Sequence, residues 1–258
     1  MCLLIALFQV LPEAPLIIAA NRDELYERPA VAMTVLRRRD PRILGGRDLQ
    51  AGGTWLAVND HGVVAGLTNQ PSAAGRDPAK RSRGELPLAF AAHEDAATAV
   101  PVNPDDYNPC WMLVGDRRSL LSVGIGSGAK AEVEQLGPGL HILENAPLRA
   151  RSAKAVFVER LVQAERAARP DKSVAGTIDA LEAVLRIDTP AVPQARTDET
   201  GRTWPPELSA PCVHTETYGT RSAMTVCVLA NGRPVVRVAD GRPCETPFLD
   251  VSGLWTEG

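Results

Sequence analysis

Two apolar runs open the chain, residues 2–10 and 15–20, and only Leu11, Pro12, Glu13 and Ala14 separate them. Such a pair predicts a buried hairpin that starts at the first residues. Trp55 to Asn59 and Val63 to Thr68 flank Asp60, His61 and Gly62. The glycine supplies the positive φ of a tight turn, so a second hairpin is predicted there. From Gly84 the spacing becomes helical, with Leu86, Ala89, Phe90 and His93 on one stripe and Pro87 tolerated in the first turn. Cys110 to Val114 and Ser119 to Val123 predict a third hairpin, and Leu140 to Leu143 a further strand.

Two longer helices follow. The first is predicted from Ser152 to Ala168 with Val156, Phe157, Leu161 and Ala164 inward, the second from Ser173 to Leu185 with Ile178, Leu181 and Leu185 inward. Pro170 parts them, and Ser173 suits an N-cap. Asp188 to Pro211 holds five prolines and reads as a surface loop long enough for a lid. Ser222 to Leu229 and Val235 to Val238, around Asn231 and Gly232, predict a last hairpin. Strands, a helix, strands, two helices, then strands again is the order of antiparallel sheets covered by helices, an α+β class, and not of βαβ alternation.

Composition narrows the function classes. The 258 residues, 45% hydrophobic and 23% charged, exclude disorder, collagen and coiled coil and are read as a single domain over 1–258. With 28 Lys and Arg against 31 Asp and Glu the net charge is -3, which removes the electrostatic basis for nucleic-acid binding. Cys2, Cys110, Cys212, Cys227 and Cys244 are odd in number and contain no C-x-x-C pair, so neither a zinc ribbon nor a disulfide scaffold, and no metal site, is expected. A reducing, cytoplasmic setting fits, because the opening run lacks a preceding basic residue and is broken by Gln9 and Pro12, unlike a signal peptide or membrane span. Gly124, Gly126 and Gly128 lack the helix and downstream acid of a dinucleotide site and read as a loop. Arg37 to Arg39 read as a solvated strand end or turn; Arg149 and Arg151 either accept an anionic group or are helix-surface charges.

The residue richest in chemistry is Cys2. It is either a small apolar start to a strand or, once Met1 is removed, a thiol and a free α-amine on one residue. An α-amine titrates at about 7.7–8.0, against about 10.4 for lysine, so it can act as the base for its own side chain. Asn21, Arg22, Asp23 and Glu24 end the strand predicted to pair with the one carrying Cys2. A carboxylate there would hold the ammonium form, and an arginine would favour the thiolate. The other reading of the quartet is a solvated turn with a local ion pair.

Taken together, Cys2, Asn21-Arg22-Asp23-Glu24, Gly52-Gly53-Thr54-Trp55, Gly66-Leu67-Thr68-Asn69, Ser82-Arg83-Gly84, Tyr107-Asn108-Pro109 and Tyr218-Gly219-Thr220-Arg221-Ser222 resemble the NRDE family, that of transport and Golgi organisation protein 2. The resemblance implies an N-terminal nucleophile hydrolase fold, a four-layer αββα sandwich of two antiparallel sheets. It also implies a hydrolase of a non-peptide amide that needs no cofactor, similar in arrangement to cysteine amidases such as penicillin V acylase and bile salt hydrolase. By that likeness Cys2 corresponds to the nucleophile, Asp23 to the carboxylate near the amine and Asn69 to the oxyanion donor. Asn145 and Arg221 match the remaining polar positions, and Asn21 and Arg22 are binding residues. Those amidases carry Arg, Asn, any residue, Asp where this chain has Ala20-Asn21-Arg22-Asp23, and strand alternation is expected to turn Arg22 away from Cys2 if the strand continues that far. The family's links to haem trafficking and lipid or acyl-CoA metabolism imply an alternative, a non-catalytic carrier of haem or an acyl-type ligand. Its candidate iron ligands would be His61, His93, His141, His214, Cys110 and Cys212, none of them in a haem-attachment motif.

Overall fold

The structure is a computed structural model and describes residues 2–71, 75–98, 100–126, 130–197 and 203–257. The opening hairpin forms as β1 (Leu3–Leu11) and β2 (Ala14–Leu25), and β2 runs on through Asn21 to Glu24. Next come β3 (Ala30–Arg37), β4 (Ile43–Asp48), the hairpin β5 (Leu56–Asn59) and β6 (Val64–Asn69), and the short helix α1 (Glu85–Phe90). The third hairpin is β7 (Cys110–Gly115) and β8 (Leu120–Ile125), followed by β9 (Glu132–Gln135) and β10 (Gly139–Leu143). Helices α2 (Ala153–Ala168) and α3 (Val174–Leu185) precede the two-residue strands β11 (Arg196–Thr197) and β12 (Thr203–Trp204). The last elements are β13 (Tyr218–Val228), β14 (Val235–Ala239) and β15 (Leu249–Asp250).

All pairings among these strands are antiparallel. One sheet has the order β10-β1-β2-β13-β14-β15, and the other is a meander from β3 to β9. Between the sheets Leu4, Ala6, Phe8, Leu16 and Ile18 pack on Leu44, Leu56, Val58, Val64 and Leu113. The intervening positions Leu3, Ile5, Leu7, Ile17 and Ala19 face Val158 and Val162 of α2 and Ile178, Leu181 and Leu185 of α3. Beyond the meander, α1 buries Leu86 and Phe90 against Ala65, Leu67 and Met112. The layers are therefore helix, sheet, sheet, helix, and both faces of β1 and β2 are covered, which is why those strands read as unbroken apolar runs. Gly66 allows the close approach of the sheets, since a Cβ there would lie 2.8 Å from Leu4 Cδ2.

Several details depart from the pattern read along the chain. β3 and β9 are edge strands with mixed or polar sequences, so alternation did not reveal them, and β4 carries Gly45 and Gly46 where apolar residues would have marked a strand. Helix α2 buries Lys154, Val158 and Val162, leaving Ala164 exposed and Val156 and Phe157 half-buried. Its inward face is fixed by a lysine that no apolar count would place inside. In α3 the expected face holds, and Ser173 caps the helix by accepting from the Gly176 amide at 3.2 Å. The 188–211 stretch contains the small β11–β12 pair, with 198–202 outside the described residues; Gly128 lies outside them too. Arg37 ends β3 in the open, and Arg149 and Arg151 pair with Glu134 and Glu159.

Asn21, expected among the binding residues, faces the helices instead. Its Nδ2 donates to Leu185 O at 3.0 Å and to Pro211 O at 2.9 Å, tying the end of α3 and the approach to β13 onto β2. Replacing it by alanine would strand two buried carbonyls, so Asn21→Ala is expected to lower stability by about 1–3 kcal/mol without changing Cys2 alkylation kinetics, read from urea unfolding and thiol labelling. Glu182 of α3 lies 3.0 Å from Arg237 of β14, yet burial pushes its carboxyl up from 4.5 to about 7. The folded state thus binds this proton more tightly, and stability should fall as pH rises through the window between those values. Glu182→Gln is expected to flatten that fall by about 1–2 kcal/mol in denaturant titrations across the window.

Candidate active site

Cys2 stands one residue before β1, and the ladder pairs Leu3 with Asn21 and Leu4 with Ala20. Continued by one step, that register sets Cys2 across from Arg22. Cys2 has the parity of Leu4 and Ala6, so it points between the sheets, and Ala20 and Arg22 share that face. The expectation that Arg22 would turn away from Cys2 is therefore corrected: cross-strand pairing, and not the spacing from Asp23, decides the face. Moving an arginine from position 20 to 22 keeps it on the same side of the strand.

Cys2, Arg22, Asp23 and Asn69 line one cavity of about 260 Å³. The Cys2 Sγ lies 4.0 Å from the Asp23 carbonyl oxygen. Burial pushes the Cys2 thiol up from its ordinary value, the Asp23 carboxylate adds to this, and Arg22 works against it, so the thiol holds its proton at neutral pH. Arg22 is itself buried, stacked 4.4 Å above the Trp55 ring and 3.3 Å from Asp48 Oδ2. Asp48 also accepts from Arg28 Nε at 2.7 Å and from the Gln50 and Ala51 amides; although burial opposes it, these donors hold its carboxyl below the usual range. Gly46 makes room for the indole, since a Cβ there would meet the ring.

Asp23 has the opposite parity, and its side chain lies on the helix side of β2. Its Oδ1 accepts from Thr220 Oγ1 at 2.6 Å, its Oδ2 lies 3.9 Å from Lys154 Nζ, and its carbonyl oxygen accepts from Tyr218 Oη at 2.9 Å. Burial pushes the carboxyl up, with Lys154 and the Thr220 hydroxyl acting in the other direction. Lys154 is only 3% exposed, so its charge acts at close range on Asp23.

The glycine motifs build the opposite wall. Gly53 lies against Gly84 so closely that a Cβ on it would be 2.6 Å from the Gly84 Cα, and the Thr54 amide donates to Gly84 O at 2.9 Å. That backbone contact brings Arg83 to the cavity, where its NH1 donates to Pro109 O at 3.1 Å. Asn69 ends β6 at the junction with a second cavity of about 460 Å³, which Arg76 and Arg83 also line. Asn145 donates from Nδ2 to the Asn69 carbonyl and lines that second cavity, not the one holding Cys2.

Arg221 is placed elsewhere. Its guanidinium donates to the carbonyls of Leu25, Tyr26 and Arg28, closing the end of β2, and it does not line the Cys2 cavity. A bulge in the β2–β13 ladder between Thr220 and Ser222 sends Thr220 to Asp23 in its stead. Lys154, Thr220, Arg83 and Trp55 are thus neighbours of the site to which no role was assigned from sequence. Thr220, Arg83 and Trp55 sat inside motifs that signalled them; Lys154 had none. Among the described residues, none of the iron ligands expected for a haem carrier, His61, His93, His141, His214, Cys110 and Cys212, lines the Cys2 cavity.

The chain matches the family model described as Transport and Golgi organisation 2 over residues 1–238. It is 31% identical over 241 residues to the Transport and Golgi organization 2 homolog of Mus musculus, covering 84% of this chain and 83% of that protein. The Bos taurus homolog is 32% identical over 237 residues, with the same coverage. Among solved structures, the mutant C2A conjugated bile acid hydrolase from Clostridium perfringens is similar at a TM-score of 0.55 and 11% identity, covering 100% of this chain and 95% of that one. Penicillin V acylase from Agrobacterium tumefaciens is similar at 0.53 and 11%, covering 98% and 86%. These likenesses agree with the two antiparallel sheets and give the fold as that of the N-terminal nucleophile hydrolases. By the extent of the family match and the identity to its relatives, the chain belongs to the Transport and Golgi organisation 2 family.

Proposed function

We propose that this protein, after removal of Met1, hydrolyses a non-peptide amide with Cys2 as nucleophile. The observation that carries the reading is the meeting of the partly buried Cys2 thiol, the Asp23 main chain and Asn69 at one cavity beside the start of β1, with the Asp23 carboxylate on the other face of β2. A thiol held in its neutral form needs a base within reach, and the α-amine of the same residue is the group that meets this need. The relatives of this fold include a conjugated bile acid hydrolase and a penicillin acylase, which favours amides among acyl compounds.

In the proposed course the α-amine takes the thiol proton as Sγ bonds to the carbonyl carbon, and Asn69 donates to the oxyanion. The resulting ammonium, oriented by Asp23, returns the proton to the leaving nitrogen as the carbon–nitrogen bond breaks. Water then attacks the thioester, with the amine again holding the proton until the acid leaves and the thiol is restored. Asn145 acts through the backbone of Asn69 and is a positioning residue. Arg76 and Arg83, at the boundary of the two cavities, favour a substrate with an anionic group beyond the amide.

Protein made with a native N-terminus should have an intact mass lacking Met1 and should turn over anionic members of an amide panel faster than neutral ones. Cys2→Ala should abolish turnover, and Asn69→Ala should lower kcat by roughly 10²–10³-fold. Retention of Met1, or a wild-type protein that binds acyl ligands with no turnover and equally well after Cys2→Ala, would replace the hydrolase with a carrier.

A further inference from the structure

Away from the Cys2 cavity, three soft donors converge on one point. The Cys212 Sγ lies 3.3 Å from His214 Nε2 and 3.7 Å from Cys244 Sγ, and His214 Nε2 lies 3.1 Å from Cys244 Sγ. All three donor atoms lie within 4.8 Å of one another. Two sulfurs and one imidazole select a thiophilic ion over magnesium or calcium. A tetrahedral zinc with bonds of about 2.3 Å to sulfur and 2.0–2.1 Å to nitrogen sets its sulfurs about 3.8 Å apart and each sulfur about 3.5 Å from the nitrogen. The observed sulfur spacing matches, and the Cys244 to His214 spacing needs only a rotamer-scale opening of about 0.4 Å to do so.

The main chain holds these donors from both sides. Cys212 and His214 are two apart on the segment that leads into β13, and their side chains meet the same point. The Cys212 amide donates to Ile187 O at 2.8 Å, and His214 bridges to Gly219. Cys244 sits in a turn between β14 and β15, where the Arg186 guanidinium donates to Pro243 O and Thr246 O. Cys212 is buried, whereas His214 and Cys244 are partly exposed, which provides an entry path and room for a fourth ligand from solvent.

We propose that Cys212, His214 and Cys244 bind one zinc(II) ion, with water in the fourth position. The two thiols release their protons to solvent as the sulfurs bond to the metal, so the bound cluster is electrically neutral with neutral imidazole. The proposal departs from the expectation of no metal site: the ligand pair is C-x-H instead of C-x-x-C, and its third member comes from a distant turn. The ion would cross-link the approach to β13 with the β14–β15 connection. The Val213 amide, between two ligands, donates to the Thr220 hydroxyl at 2.8 Å, and Thr220 donates to Asp23. Zinc would thereby stiffen the segment that orients Asp23.

The test is to strip the reduced full chain with a chelator, add zinc against a chromophoric competitor, and repeat with cobalt(II). About one zinc per chain and a cobalt spectrum with thiolate charge transfer and tetrahedral d–d bands are expected, with a raised Tm in the zinc form. Cys244→Ser and His214→Ala, both at partly exposed positions, should weaken zinc binding by at least about 100-fold, while Cys2→Ala leaves it unchanged. Zinc binding that survives Cys244→Ser, or a reduced protein that takes up no zinc and whose Cys212 and Cys244 join in a disulfide on oxidation, would overturn the proposal.

Discussion

β2 is hydrogen-bonded along both edges, to β1 and to β13, and the site depends on the register of these two ladders. A slip of one residue in the first would exchange the faces of Leu3 and Leu4 and carry the Cys2 thiol out of the space between the sheets. The second contains the bulge that delivers Thr220 to Asp23. The register is strongly specified because both faces of β2 are buried, so any shift would expose one apolar set to the wrong layer. The packing that folds the molecule is the same packing that aims Cys2.

Charge is distributed across the strand on the same principle. On the inter-sheet face Arg22 is held by Asp48 and the Trp55 ring, and on the helix face Asp23 is held by Thr220 and Lys154. Neighbouring residues thus carry opposite charges into separate, partly dry compartments, each with its own partner. Cys2 lies where the fields of both are felt, with Asp23 acting to keep its proton and Arg22 to release it. Burial is the largest influence on the thiol and raises it, and these charges act on it as smaller corrections.

Most of the layer order could be read from the chain because its central strands and α3 are apolar on the faces they bury. The motifs found along the sequence also prove to be one neighbourhood: Gly53 touches Gly84, Arg83 reaches Pro109, and Tyr218 and Thr220 reach Asp23. What could not be read was direction. The face of Arg22 depends on a partner strand, the diversion of Arg221 to backbone carbonyls depends on a bulge, and Asn21 serves the helices because its parity is that of Ile17 and Ala19. Lys154 was invisible for a different reason: a buried lysine is defined by the carboxylate it faces, and that carboxylate is contributed by another part of the chain.

That last pair bears on how the protein can vary. With Lys154 held beneath α2 and Asp23 within β2, losing either residue leaves the other as a charge in a medium that disfavours it, which is costly, whereas exchanging both for apolar residues of similar volume is far less so. Substitution at one position is therefore conditional on the state of the other. Lineages that gave up the carboxylate would be free to give up the lysine, and the two codons would drift as a linked pair across a long separation in sequence.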